Sequence, residues 1–415
     1  MENFTDLPAY LWHRLPLILL FVCGYLVYQL MAAARITDSF VSWALNKSRG
    51  RASLLILYII AASAALSSFI PNTITVLTLI PVLKKLDTDF AEQGATGMTT
   101  ILMCSAIYGS AIGGMGSMIG SPANAVLFAA LDVFEVPGRE QITFFNWFLW
   151  SVPLVICFVG LAWGVAAGLG LPASARGVTA KVERLPNGHE AGLRQRYGVR
   201  LFWLYILYWV MEAVLRQQVV GFAAISPVFC LGFAVVFLYL LFVRDAPSSP
   251  VGRGPLLTAG DLVRSVPRRG LLFIVALGVL FAGVHWLELD ERAVIAAGKM
   301  LQGDMTPVLL FFLTIISVIF LTEVLSNTAV VAAFFTIAFY AAQGHSMDPL
   351  YLMIGVGIAS TCAFMTPIAT TSNALAYGEM KGASLPIMLG LGCVLNVLGA
   401  ILMTSWLSWV LPYIY

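Results

Sequence analysis

Apolar residues run along this chain in blocks long enough to cross a bilayer as α-helices, which takes about 20 residues. The informative positions are the polar ones inside four of those blocks. SSFIPNTITVLTLIP at 67–81 and LTEVLSNTAVVAAFF at 321–335 each set Asn-Thr at the centre of an apolar run. Each is followed by a second interrupted block, GSAIGGMGSMIGSPANAVLFAAL at 109–131 and IASTCAFMTPIATTSNALAYG at 358–378. Hydrocarbon offers no hydrogen-bond partner, so a freed backbone group or amide there must be satisfied by the protein itself. Such breaks predict opened helix ends, with N-termini suited to an anion and C-termini suited to a cation.

The four interruptions form two pairs. Asn72-Thr73 and Asn327-Thr328 are separated by 327 − 72 = 255 positions, and Asn124 and Asn373 by 373 − 124 = 249. At the offset of 249, Ser117 also falls on Thr366, Ile119 on Ile368 and Ser121 on Thr370. Paired interruptions at corresponding places of two halves predict a transporter whose ligand site lies at the interface of two repeats.

Around them the hydropathy predicts spans at 16–34, 144–169, 201–215 with its flank, 221–243, 271–287 and 385–411. Two hairpins are expected at 52–83 and 306–342. The limb Ile74–Leu83 is too short to leave on the far side, which predicts a re-entrant hairpin returning to its side of origin. Broken spans are expected at 98–131, interrupted at 120–124, and at 350–380. Residues 35–51 read as an interfacial helix, 172–200 as a polar linker, 244–270 as a basic loop and 288–305 as an acidic interfacial segment. This threading puts eighteen of the 23 Lys and Arg on one side of the membrane. That side is cytoplasmic by the excess of basic loops. The first hairpin then enters from the cytoplasm and the second from outside, the two units are antiparallel, and both termini are external.

Composition agrees with a membrane protein. The chain has 415 residues, 60% apolar and 11% charged, with mean hydropathy +0.90. Soluble domains carry roughly 25% charged residues. The net charge of +2 gives no reason to expect nucleic acid. The six cysteines lie singly in apolar segments and read as core thiols, with neither metal nor disulfide pairing indicated. No cleaved signal is indicated at the N-terminus. The sequence has no HExxH and no nucleotide-binding loop, and the reading is neither an enzyme nor a self-powered pump.

The motif pairs, their order and the inverted threading resemble the divalent anion:sodium symporters. That family has Ser-Asn-Thr at each hairpin tip and Gly/Ala-Thr-Pro-Pro-Asn in each following break. Thr322-Glu323-Val324-Leu325-Ser326-Asn327-Thr328 and Gly120-Ser121-Pro122-Ala123-Asn124 match closely. Pro71 stands where the family has its first serine, and Ala369-Thr370-Thr371-Ser372-Asn373 lacks both prolines. The family also usually carries three further N-terminal helices.

The resemblance implies an all-α polytopic membrane protein with inverted repeats, each built from a re-entrant hairpin and a broken helix. It implies a moving transport domain (52–171 and 306–415) and a scaffold (1–51 and 201–305), joined by the linker 172–200. The implied function is sodium-coupled, alternating-access transport of a small divalent anion, a dicarboxylate, tricarboxylate or sulfate, by a homodimer in the cell membrane. Sodium would be held by Ser67, Asn72 and Gly120 and again by Thr322, Asn327 and Ala369. The substrate would meet Asn72, Thr73, Ser121, Asn327, Thr328 and Thr370. No cofactor is expected beyond the co-transported sodium. The alternative is a cation/proton antiporter or an anion exchanger of the same superfamily. Glu323, the acid deepest in an apolar segment, is open to two readings, a functional carboxylate or one that ties the hairpin to nearby backbone N–H groups.

Overall fold

The computed structural model describes residues 7–34, 36–180, 191–249, 252–258, 260, 305–325 and 327–415. Its helices are α1 (Leu7–Ala33), α2 (Ile36–Ser48), α3 (Ala52–Ser67), α4 (Asn72–Glu92), α5 (Met98–Gly113), α6 (Pro122–Val133) and α7 (Phe144–Val165). They continue as α8 (Ala191–Gln218), α9 (Phe222–Phe242), α10 (Pro307–Thr322), α11 (Asn327–Gly344), α12 (Pro349–Ala359), α13 (Thr371–Glu379) and α14 (Leu385–Val410). Among the described residues one antiparallel strand pair, β1 (Asp245–Ser249) with β2 (Gly252–Pro255), follows α9. Among the described residues, five helices are long and apolar enough to cross a membrane: α1, α7 with its continuation to Gly170, α8, α9 and α14. The span expected at 271–287 and the acidic segment at 288–305 fall outside the described residues, except for Met305.

The chain divides into two compact units. One comprises Met1–Phe40, Thr143–Asn146 and Arg184–Val266, and the other Val41–Ile142, Trp147–Glu183 and Pro267–Tyr415. In the first unit α1 packs on α8 and α9. Tyr205 donates to the Leu20 carbonyl at 3.2 Å, and Tyr208 stacks on Phe233 with ring centres 3.7 Å apart. Glu212 and Arg216, one turn apart on α8, form an ion pair at 2.6 Å, and Ser226 of α9 donates to the same carboxylate oxygen at 2.5 Å. α8 begins at Ala191, ten residues before the apolar run at 201, so the polar stretch expected as linker is partly helical. Arginines at 194, 196 and 200 keep its first turns polar, and Arg194 donates to the Leu256 carbonyl at 3.0 Å.

In the second unit the same packing occurs twice. α3 lies against α5 as α10 lies against α12, and α4 lies against α13 as α11 lies against α6. α5 is buried on every side, which suits a helix at the centre of a unit. Glycines let α3 and α5 come together: a Cβ on Gly109 would sit 2.3 Å from the Ile60 carbonyl oxygen, and one on Gly113 2.3 Å from that of Ala64. Membrane helices pack closely through such small residues spaced four apart.

Two expected boundaries are corrected here. α4 continues past Lys84-Lys85 to Glu92, so the second limb of the first hairpin is 21 residues long and its length does not prevent a crossing. Leu79, Leu83, Leu86 and Phe90 keep a buried stripe at helical spacing although the opposite face has turned polar. The first break opens at Gly114, six residues before the expected Gly120, and closes at Pro122. Gly113, Gly114 and Gly116 weaken the helix there, and proline is well placed as the first residue of the helix that follows.

Candidate functional site

The first cluster joins the α3–α4 tip to the break between α5 and α6. Ser67, at the end of α3, donates to Asn72 Oδ1 at 2.6 Å. A Cβ on Gly114 would lie 3.6 Å from Asn72 Oδ1 and 3.7 Å from the Gly120 carbonyl oxygen, so both oxygens face Gly114. The Ser117 hydroxyl donates to the Ser68 carbonyl and straps tip to break. Asn124, fully buried, donates through Nδ2 to the carbonyls of Gly114 at 3.3 Å and Ser117 at 2.9 Å, and its Oδ1 has no partner among the described residues. Trp147 and Ser151 of α7 donate to the carbonyls of Met115 and Gly116 at 3.1 Å each. Ser121 caps α6 by accepting from the Ala123 N–H at 3.3 Å.

The second cluster joins the α10–α11 tip to the break between α12 and α13. The Thr366 hydroxyl donates to the Glu323 carbonyl at 2.6 Å. Asn373 donates through Nδ2 to the carbonyls of Ala363 at 2.9 Å and Thr366 at 3.0 Å. Thr370 caps α13, accepting from the Asn373 N–H at 3.1 Å and donating to Asn373 Oδ1 at 2.9 Å. Thr322 turns its hydroxyl back onto the Ile319 carbonyl at 2.8 Å. Asn327 begins α11, with its Oδ1 buried and without a partner among the described residues. Glu323 is fully buried. Its Oε1 accepts from the N–H groups of Phe364 at 2.8 Å and Met365 at 2.7 Å and from Asn396 Nδ2 at 2.8 Å. Its Oε2 accepts from the Thr366 N–H at 2.7 Å. Of the two readings open for Glu323, the tie to backbone N–H groups is the one the geometry displays.

These bonds repeat with the spacing found in the sequence. Asn124 to Gly114 and Ser117 becomes Asn373 to Ala363 and Thr366, at the offset of 249. Ser117 to Ser68 becomes Thr366 to Glu323, with the tip residues 255 apart. The expected residues thus gather in two clusters. Ser67, Asn72 and Gly120 share the first with Ser121 capping beside them, while Thr73 follows in the first turn of α4. Thr322 and Asn327 flank the second tip, and Ala369 and Thr370 end the second break. Thr328 lies in the first turn of α11, its side chain outside the described part, and Ser326 is not described. The straps Ser117 and Thr366 and the asparagines 124 and 373 escaped assignment as site residues, although their shared offset was the available signal. Gly114 escaped because a glycine gives no polar mark.

Buried breaks in apolar helices, strapped by hydrogen bonds and each ending on a fresh helix N-terminus, define a polytopic membrane transporter. The chain belongs to the citrate transporter family, whose model (CitMHS, citrate transporter) matches residues 3–350. This agrees with the resemblance read from the tip and break motifs. The chain is 26% identical over 416 residues to the sodium-dependent dicarboxylate transporter SdcS of Staphylococcus aureus, covering 96% of this chain and 77% of that one. It is 22% identical over 390 residues to an uncharacterized transporter of Haemophilus influenzae, covering 92% and 79%. In fold it resembles the crystal structure of the Alcanivorax borkumensis YdaH transporter, described as having an unusual topology. The TM-score is 0.60 at 12% identity, over 98% of this chain and 90% of that one.

Proposed function

We propose that this transporter carries a small dicarboxylate or related divalent anion coupled to sodium, by alternating access. The observation that carries the reading is the tip-to-break strap made twice, Ser117 on Ser68 and Thr366 on Glu323. The first strap joins the tip whose Asn72 oxygen faces Gly114 of the break, and the second joins the tip that leads into Asn327 to the break at Thr366. Ser67, Asn72 and Gly120 would supply oxygens for one sodium, and Thr322, Asn327 and Ala369 for a second. The four helix N-termini at 72, 122, 327 and 371, with Thr73, Ser121, Thr328 and Thr370, would meet the anion.

No Lys or Arg occurs in 67–83, 109–131, 321–335 or 358–378. The anion would therefore rely on helix dipoles, amides and the bound cations themselves. Anion affinity then rises with cation occupancy, and the reciprocal holds, which is thermodynamic coupling. The name of the staphylococcal relative supports sodium and a dicarboxylate. In this reading the unit holding both clusters is the moving body, the unit of α1, α8 and α9 is the scaffold, the protein is a dimer, and both termini face outside. The test is uptake of labelled succinate, citrate and sulfate into proteoliposomes with and without an inward sodium gradient. Sodium-stimulated uptake of a dicarboxylate is expected. Uptake of all three that ignores sodium would defeat the proposal.

A further inference from the structure

The two halves differ at the position of Glu323. Its counterpart at the offset of 255 is Ser68, whose hydroxyl turns back onto the Ala64 carbonyl at 2.9 Å. In the first break the N–H groups of Met115 and Gly116 bond within the chain turn, to Ile112 and Gly113. In the second break the N–H groups of Phe364, Met365 and Thr366 all point at one carboxylate. Three successive N–H groups around one acceptor make an anion nest, and here the anion is a side chain of the hairpin tip itself. A carboxylate is an acceptor-only group able to receive all of them along with Asn396 Nδ2.

We propose that Glu323 is the positioning residue of the second cation site, and that this makes the two sites unequal. The inference rests on the sodium-coupled reading above. Glu323 adjoins Thr322, and its carboxylate fixes 364–366, the backbone that leads to Ala369. The Thr366 hydroxyl fastens the same stretch to the Glu323 carbonyl, and Asn373 fastens it to the start of α13. Every oxygen proposed for the second sodium is thereby mounted on elements that Glu323 joins. With N–H donors on both carboxylate oxygens, Glu323 acts here as a strut. The first site is built without such a strut and depends on Ser117, Trp147 and Ser151.

The variant Glu323→Gln keeps one acceptor oxygen but turns an NH2 toward N–H donors that need an acceptor. The experiment is sodium binding to purified full-length protein without substrate, read both as 22Na binding and as the sodium-dependent rise in Tm. Wild type is expected to bind two sodium ions. Glu323→Gln is expected to lose one and retain the other, or to bind it at least about tenfold more weakly, since buried hydrogen bonds to a charged group are among the costlier to lose. A role in stability alone would lower the sodium-free Tm and leave sodium stoichiometry and midpoint unchanged, and that outcome overturns the inference. Thr366→Val keeps the carboxylate and its donors but removes the second strap. It is expected to weaken the same site several-fold, so it serves as the independent readout if Glu323→Gln does not fold. An unchanged sodium midpoint in Thr366→Val overturns the inference as well. A wild type that binds no sodium overturns the coupling proposal and this inference together, whereas normal wild-type binding with unaltered variants defeats the inference alone.

Discussion

Asn124 and Asn373 hold their breaks with the same two bonds, each amide nitrogen donating to carbonyls ten and seven residues before it. The acceptors, Gly114 and Ser117 in one half and Ala363 and Thr366 in the other, are carbonyls of the breaks themselves, outside the flanking helices. Their side-chain oxygens differ: Asn373 Oδ1 receives the Thr370 hydroxyl, and Asn124 Oδ1 has no partner among the described residues.

Asn124→Ala should therefore destabilise the protein by about 2 kcal/mol, because the buried Gly114 carbonyl loses its amide donor and the Ser117 carbonyl keeps only the Gly120 N–H. Thermal unfolding in detergent measures this. A Tm equal to wild type would mean that water replaces the amide and that the clamp is dispensable.

Gly109→Val should impair folding, since even a single Cβ there would lie 2.3 Å from the Ile60 carbonyl and 2.6 Å from the Ser63 Cβ. Overpacking a close contact costs about 1–3 kcal/mol, and moving α3 from α5 would also displace the tip at 68–71. The check is the yield of monodisperse protein. Normal yield together with normal sodium binding would contradict this close packing.

Asn327→Ala should abolish substrate and sodium binding together, because one amide at the start of α11 is asked to serve both. Isothermal binding of a dicarboxylate, and of sodium alone, tests the shared role. Wild-type affinity for either ligand would separate the two sites.

Pro71 begins the turn into α4 with φ −52°, near the value its ring imposes. Proline gives this tip neither the hydroxyl nor the N–H of the family's serine. Pro71→Ser should leave transport intact and lower the sodium concentration at half-maximal uptake. An unchanged midpoint would show that the first site never used that oxygen. Loss of transport would show that proline shapes the tip for a different ion or substrate.

Much of this protein was legible in its sequence because the signals are local. Apolar runs separated by Asn, Pro, Gly and Ser set the helices, and the offsets of 255 and 249 tie the two halves together without reference to any contact. The ends of the elements were less legible. α4 runs nine residues past Leu83 and α5 stops six before Ile119, because helix ends follow packing stripes and glycine content as well as hydropathy. Pairing was beyond the sequence altogether. Glu323 draws its donors from 41, 42, 43 and 73 residues further along the chain. Nothing local distinguishes a carboxylate that receives those N–H groups from one that faces an ion. The sequence alone determined that two apolar halves are each broken twice, since hydrocarbon penalises every misplaced polar group. Only the tertiary structure decided which group answers each break, because that depends on which distant backbone folding brings within 3 Å.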